Sequence, residues 1–184
     1  SYPGGNSALM DVTLSVEPGE FVTLCGLSGC GKSTLLRLLK PGIQPRGEAG
    51  GRILLNGREL PKEPDSYTSS ALGFVMQDPE AQTVTDKVWH ELAFSCESVG
   101  LPRGEIRRRV GEMACYFGLE ELFGRDTSTL SGGQKQLLCL ASAAALHPEI
   151  LLLDEPASQL DPVAAQNFVD AVRRLNHDFG ITVI

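Results

Sequence analysis

A glycine-rich run near the start of the chain limits the possible folds more than any other feature. Residues 26–33 read GLSGCGKS, after an apolar segment at Phe21–Cys25 and before a helical pattern from Lys32 to Lys40. The run fits G-x-x-x-x-G-K-S/T, and the order strand, loop, helix is the context in which that pattern forms a phosphate-binding loop. The sequence therefore predicts an α/β fold with this P-loop at the end of a buried strand, and a chance glycine-rich turn is the disfavoured alternative.

The residue types in the loop suit a phosphate chain. Glycine has no Cβ atom, so the loop backbone can wrap closely around phosphates, and the N-terminus of the following helix adds partial positive charge. We expect Lys32 to bridge the β- and γ-phosphates of a nucleotide and Ser33 to ligate Mg²⁺. The candidate phosphate-binding residues are Gly26, Leu27, Ser28, Gly29, Cys30, Gly31, Lys32, Ser33 and Thr34.

A second apolar segment ends in two carboxylates. Residues 150–153 read ILLL, and Asp154 and Glu155 follow them. Neighbouring residues of a strand point to opposite faces, so the two carboxylates are expected to have separate roles. Asp154 is suited to hold Mg²⁺ through water, whereas Glu155 is placed to polarise an attacking water as a general base. A merely solvated strand end is the alternative, and the P-loop elsewhere in the chain disfavours it.

A third motif precedes that strand. Residues 130–136 read LSGGQKQ and begin a helical pattern that extends to about Leu146. A serine hydroxyl and N–H groups at a helix N-terminus suit an anion, so Ser131, Gly132, Gly133 and Gln134 form a candidate second phosphate site. The same S-G-G start is also a common helix cap, and the residues alone leave both interpretations open.

The remaining pattern indicates an α/β core that is interrupted by helices. Further strands are predicted at Val12–Val16, Arg52–Leu55, Ala71–Gln77 and Ile181–Ile184. Helical periodicity extends from Val84 to Leu146 with a stop at Gly118, and a later helix begins at Asp161-Pro162 and ends at Gly180. We predict a P-loop NTPase core with a mainly parallel sheet from residues 1–80 and 147–184, including an N-terminal antiparallel β part. Residues 81–146 are predicted to form an inserted helical subdomain.

Composition excludes several classes of protein. The 184 residues carry a net charge of −7, so the chain has no global field that would attract nucleic acid. The arginines at 103, 107, 108 and 109 are predicted to form a solvated helix face. Five widely spaced cysteines indicate neither a disulfide framework nor a zinc site. No apolar run approaches the length of a membrane-spanning helix, so we expect the chain to serve any membrane process from the water side.

The ordered motifs resemble those of the nucleotide-binding subunit of ABC transporters, over essentially the whole chain. They are GLSGCGKST, Gln77, LSGGQKQ, ILLLDEP and the run from Ser158 to Asp161. The resemblance implies ATP and Mg²⁺ as ligands, and a head-to-tail dimer in which LSGGQ contacts the γ-phosphate held by the partner domain's P-loop. It implies that Gln77 senses Mg²⁺ and the attacking water, that Asp161 lies at the dimer seam, and that Tyr2 stacks on adenine.

The residues after Gln77 are similar to those of the ATPases of energy-coupling factor transporters, which import vitamins or transition-metal ions. The similarity rests on QDPEAQ at 77–82, ELAF at 91–94 and VGLP at 99–102. In that group the region receives the coupling helices of an integral membrane partner. Trp89 and Phe94 are candidate apolar anchors for such a partner, unless they belong to the core.

The sequence thus predicts an ATP-binding and ATP-hydrolysing subunit of such an importer, at the cytoplasmic face of the cell membrane. Its expected partners are a second ATP-binding subunit and an integral membrane transport subunit, and no nucleic acid. The predicted catalytic residues are Glu155, Gln77 and Lys32, and the predicted Mg²⁺ ligands are Ser33, Gln77 and Asp154.

Three rival functions remain. A soluble ABC-type ATPase of DNA repair or translation would predict a basic groove or a long coiled-coil insertion, and the sequence shows neither. A small-molecule P-loop kinase would not need LSGGQ. A regulatory domain without turnover is the third, because the switch histidine that the resemblance places beyond the last strand does not occur in the chain. His177 precedes that strand, so we expect the chain to bind ATP but to hydrolyse it poorly.

Overall fold

A parallel three-stranded sheet forms the centre of the structure, a computed structural model that describes residues 8–184. In chain order the helices are α1 (Lys32–Leu38), α2 (Ser66–Ala71), α3 (Pro79–Gln82), α4 (Val88–Ser98), α5 (Arg103–Phe117), α6 (Gly132–Ala144) and α7 (Pro162–Phe179). The strands are β1 (Leu54–Leu55), β2 (Arg58–Glu59), β3 (Leu72–Val75), β4 (Ile150–Leu153) and β5 (Thr182–Val183). Two short 3₁₀ turns, Glu120–Leu122 and Thr127–Thr129, connect α5 to α6.

The sheet has the strand order β3-β4-β5, with both pairs parallel. Its middle strand is buried on both faces, which explains its continuous apolar sequence. Leu151 packs with the residues of the helical region, whereas Leu152 packs with Leu36 of α1 on the other face. The prediction of a parallel sheet is confirmed, and the carboxyl ends of β3 and β4 meet at one edge, where Asp154 and Glu155 follow β4.

The strand predicted at Val12–Val16 does not form. Val12 and Leu14 are 51% and 49% exposed, and the segment has no regular secondary structure. An alternating pattern supplies a half-buried face but not a neighbouring strand, and a strand requires hydrogen-bonded neighbours. The antiparallel part of the fold, among residues 8–184, is the hairpin of β1 and β2.

The segment before the P-loop also differs from the prediction of a central strand. Phe21 forms a single parallel bridge with Val183 of β5, and the Val22 N–H donates to the Val183 carbonyl at 2.8 Å. Phe21 is 42% exposed, so this segment is not covered on both faces in the part of the chain that the structure describes. It nevertheless aligns with the sheet and leads the chain into the P-loop.

Helix boundaries follow the predicted signals closely. Gly118 ends α5 in the left-handed conformation with φ 64°, and Gly180 ends α7 with φ 66°. The Asp161 side chain accepts hydrogen bonds from the N–H groups of Val163 and Ala164, with Pro162 at the first helical position.

The helical region packs around α6, which contacts α4, α5, α7 and β3. Its buried residues come from the faces that the periodicity predicted, with Val88 and Leu92 of α4 and Val110 and Met113 of α5 among them. The division into a core and an inserted helical subdomain stays a prediction.

No helix within residues 8–184 combines the length and apolar character needed to cross a membrane.

Candidate functional site

The P-loop backbone is too tight for any residue but glycine at Gly31. This residue has φ 101°, in the region that L side chains rarely adopt. A Cβ atom there would lie 2.7 Å from the Ala8 carbonyl oxygen and 2.8 Å from the Leu9 side chain. The glycine spacing therefore reflects a steric requirement of the loop. Tyr2, the predicted adenine-stacking residue, lies outside the described residues.

Lys32 reaches back across its own loop. Its Nζ donates to the Gly26 carbonyl at 3.1 Å and to the Leu27 carbonyl at 3.3 Å. The same atom lies 3.4 Å from Oε1 of Glu155. The structure thus brings the predicted phosphate-binding cation beside the predicted general base.

Ser33 and Asp154 are joined directly. Asp154 is 3% exposed, and a buried carboxylate needs polar partners. The Ser33 hydroxyl donates to Asp154 Oδ1 at 2.5 Å, and Arg37 Nη2 donates to Oδ2 at 3.4 Å. A hydroxyl and a carboxylate are oxygen ligands of the kind that Mg²⁺ prefers, so the pair fits the predicted ion.

Arg37 was not among the predicted site residues. It follows Ser33 by one helical turn on α1, and residues at that spacing share a face of a helix. Helical spacing from Ser33 is therefore the signal that could have identified it.

The backbone of Glu155 adopts an unusual conformation, with φ 47°. A non-glycine residue at positive φ is uncommon, and such strained positions cluster at functional sites. The Glu155 carbonyl accepts from the Ser158 N–H at 3.1 Å, which closes a turn immediately after the strand. The turn holds the Glu155 carboxylate at the P-loop and makes a solvated strand end the weaker interpretation.

Gln77 follows β3, and its Nε2 donates to the Ser158 hydroxyl at 3.1 Å. This contact links the end of β3 to the turn that begins at Glu155. The sequence included Ser158 in a family motif but did not identify it as a partner of Gln77. The Mg²⁺-binding role of Gln77 stays a prediction.

The LSGGQ run forms a helix cap. The Ser131 hydroxyl accepts from the Gln134 N–H at 3.3 Å, and the Gln134 side chain accepts from the Ser131 N–H at 2.9 Å. A Cβ atom at Gly133 would lie 3.1 Å from the Ala164 Cβ, so glycine permits close packing against α7. The S-G-G run therefore forms a helix cap, as one of the two interpretations predicted. Ser131 and Gly132 are also exposed, and their phosphate-binding role stays a prediction.

Comparison with known proteins now identifies the family. The protein-family model described as ABC transporter matches residues 9–158. The chain belongs to the ABC transporter family. It is an ATP-binding domain of that family, whose ATPases hydrolyse ATP. The P-loop and the two carboxylates described above form its candidate ATP site.

Individual relatives agree with this assignment. An ABC transporter ATP-binding protein of Bacillus cereus is 45% identical over 177 residues, which cover 96% of this chain and 32% of that protein. One of Methanosarcina acetivorans is 43% identical over 188 residues, covering 100% of this chain and 29% of that protein. The chain therefore spans about a third of the length of these curated relatives.

A solved structure has the same fold. It is described as cbiO1 from Clostridium perfringens, part of the ABC transporter complex cbiONQ. The TM-score is 0.87 at 30% sequence identity, and the match covers 100% of this chain and 73% of that one.

The thiols of this ABC domain differ in accessibility. Cys96 and Cys139 are buried, and burial raises the pKa of Cys96 and raises that of Cys139 to about 12. Cys115 is exposed, but its hydrogen bond with Glu120 raises its pKa. Cys25 and Cys30 are the remaining exposed thiols. Burial or a raised pKa disfavours alkylation of the other three thiols, so alkylation is expected mainly at these two.

We predict that ATP protects Cys30 from iodoacetamide and that alkylated Cys30 prevents ATP binding. A Cβ atom at Gly26 would lie 2.7 Å from Cys30 Sγ, so the thiol lies against the first glycine of the loop, and we expect a group added to it to obstruct the phosphates. Mass spectrometry of each peptide with and without ATP measures the protection, and the Cys30→Ser variant should keep ATP binding after alkylation. Equal labelling of Cys30 with and without ATP would contradict its placement in the nucleotide site.

Proposed function

We propose that this ABC domain is the ATP-hydrolysing part of an importer of the energy-coupling factor type, which takes up a vitamin or a transition-metal ion. It works at the cytoplasmic face of the membrane with a second ATP-binding domain and an integral membrane subunit. The observation that carries the proposed ATP hydrolysis is the convergence of Lys32 with Glu155 and of Ser33 with Asp154 at the P-loop. The similarity to cbiO1, described as part of a transporter complex, supports the importer class.

Hydrolysis in this proposal is a direct attack by water on the γ-phosphorus of ATP. Glu155 accepts the proton of the water as the new P–O bond forms, and the bond from the γ-phosphorus to the bridging oxygen breaks to release ADP. Lys32 interacts with the β- and γ-phosphate oxygens and stabilises their charge. The 3.4 Å separation of Lys32 Nζ and Glu155 Oε1 supports this division of roles, because base and cation would both be within reach of the same phosphate.

Bound Mg²⁺ would neutralise part of the charge on the phosphates. Ser33 Oγ and Asp154 are the residues that would hold it, with Gln77 close to the adjoining turn through Ser158. Arg37 keeps the Asp154 carboxylate oriented from the other side. Asp154 is buried and hydrogen-bonded to Ser33 and Arg37, contacts that restrict the orientation of its carboxylate.

The exposed start of α6 completes the ATP site of the second domain. The capping box fixes the Ser131 hydroxyl at the helix N-terminus, where partial positive charge favours an anion. In the proposal, Ser131 to Gln134 contact the γ-phosphate held by the P-loop of that second domain, while this domain's own ATP is closed by the partner's equivalent motif.

The membrane partner is proposed to contact the region around α4. Trp89 and Phe94 are 43% and 42% exposed, so they lie outside the buried face of α4, and the interpretation as core residues does not hold. Large aromatic side chains are common anchors at protein interfaces. The arginines of α5 are a less suitable contact, because Arg108 and Arg109 pair with Glu105.

Co-purification tests the importer assignment. We expect the full-length protein to co-purify with an integral membrane protein, and Trp89→Ala together with Phe94→Ala to lower the recovered amount about tenfold or more, as for interface hot spots. ATP turnover of the detergent-free protein should be unchanged because neither side chain contacts the nucleotide site. Leu54→Ala, which truncates another exposed apolar residue (59%) on β1, is the matched control. Equal recovery of all variants would rule out this docking surface.

A further inference from the structure

Among residues 8–184, one edge of β3 has no neighbouring strand and is hydrogen-bonded by a side chain instead. The other edge pairs with β4, where the Asp154 N–H donates to the Val75 carbonyl at 3.0 Å. On the free edge, Gln82 Oε1 accepts from the Met76 N–H at 2.7 Å, and Gln82 Nε2 donates to the Phe74 carbonyl at 3.1 Å. The Gln82 amide thus makes the two hydrogen bonds that a peptide group of an adjacent strand would make at this edge. These bonds also close the segment 76–82 into a loop.

A second glutamine joins this loop to α6. Gln136 Nε2 donates to the Met76 carbonyl at 2.9 Å, and Gln136 is 1% exposed. One residue earlier on α6, Lys135 forms an ion pair with Glu80 of α3. Helix α6, whose N-cap is Ser131, therefore contacts the loop at two residues, Met76 and Glu80.

Of the two polar atoms of the buried Gln136 amide, Nε2 has a hydrogen-bond partner and Oε1 does not, among residues 8–184. A buried polar atom without a partner lowers stability, and methionine would fill a similar volume without that penalty. What glutamine provides at this position, and methionine would not, is the N–H group that donates to the carbonyl of Met76. Met76 is the residue immediately before Gln77.

We propose that Gln136 is a positioning residue, whose hydrogen bond to Met76 fixes Gln77 relative to the phosphate-binding start of α6. The inference rests on the proposed function for the consequence in turnover. Met76 accepts from α6 at its carbonyl and donates to Gln82 at its N–H, so the peptide groups on both sides of its side chain are fixed. Gln77 then leaves the strand in a defined direction toward Ser158. A shift of α6 moves Gln77 with it.

One variant removes the donor at nearly constant volume. Gln136→Met keeps the size of the side chain and removes both polar groups. In the full-length protein, it should increase hydrogen exchange of the backbone amides at 76–83 and lower kcat for ATP about tenfold, with KM changed less than about threefold. A displaced Gln77 would disturb the geometry of the reacting groups more than ATP binding, so kcat should change more than KM.

The matched control is Ser142→Ala, also on α6. Ser142 is 5% exposed and donates to the Glu91 carbonyl at 2.8 Å, so the variant removes a buried hydrogen bond that does not involve the 76–83 segment. We expect it to lower the melting temperature while exchange at 76–83 and kcat stay unchanged. A similar kcat loss in Ser142→Ala would show a general structural effect and would overturn the proposal.

Hydrogen exchange separates this inference from the proposed function. Unchanged exchange at 76–83 in Gln136→Met overturns the inference, whether or not the protein hydrolyses ATP. Faster exchange with unchanged kcat overturns the positioning role as well. Absence of ATP hydrolysis by the wild-type full-length protein instead counts against the proposed function.

Discussion

Glu155→Gln should lower ATP turnover by about 10²–10⁴-fold, the usual contribution of a general base, and leave ATP affinity nearly unchanged. Glutamine keeps the size of the side chain but cannot accept the proton of the attacking water. In the proposed function the carboxylate acts on water while the P-loop and Lys32 hold the phosphates, so ATP binding should persist. Phosphate release by the full-length protein and fluorescent-nucleotide binding measure the two quantities separately.

Loss of folding does not explain such an effect. The Lys32–Glu155 contact joins side chains that are 19% and 45% exposed, and ion pairs of this kind contribute little to stability. The melting temperature of Glu155→Gln should therefore stay close to that of the wild type. Glu121→Gln, at an exposed carboxylate of a 3₁₀ turn, is the control and should hydrolyse ATP normally. Unchanged turnover in Glu155→Gln would remove Glu155 as the base.

We expect Ser131→Asp to lower ATP turnover by about 100-fold or more, as for loss of one donor to developing charge. Aspartate is as good an N-cap as serine, so α6 should still begin at the same residue. In the proposed function, however, its negative charge would oppose the γ-phosphate of the ATP held by the second domain. Affinity for ADP should be unchanged, because ADP lacks that phosphate. Steady-state turnover and ADP titration of the full-length protein provide the comparison.

Ser131→Asn is the matched control, since asparagine also caps helices but carries no charge. We expect it to retain far more activity than Ser131→Asp. A small-molecule kinase has no need for this motif, so equal turnover of Ser131→Asp and the wild type would favour that rival. The pair of variants therefore tests the assignment of LSGGQ independently of Glu155.

Several local features were predictable from the sequence because a few adjacent residues determine them. The motif predicts a loop backbone that needs glycine, and the positive φ of Gly31 fits that prediction, whereas its close contact with Ala8 was not predicted. The N-cap at Asp161 and the left-handed stops at Gly118 and Gly180 depend only on the hydrogen bonds and backbone angles of one helix turn. These predictions are confirmed.

Features that depend on distant neighbours were predicted less well. The alternating pattern at Val12–Val16 is typical of a strand, but no strand forms because pairing depends on what lies beside it. Gln82 and Gln136 carry no local signal that they would pair with the edge of β3. Their partners became visible only when α3, α6 and β3 were brought together.

The sequence alone determined the chemistry that is available: a glycine-rich loop with Lys32 and Ser33, a strand that ends in Asp154 and Glu155, and a capped helix that begins with LSGGQ. The tertiary structure decided which of these groups meet. Ser33 and Asp154 are separated by 121 positions, yet their oxygen atoms lie 2.5 Å apart. Local patterns are set by backbone sterics and helix periodicity, whereas such contacts depend on parallel packing that brings the ends of separate segments to one edge of the sheet.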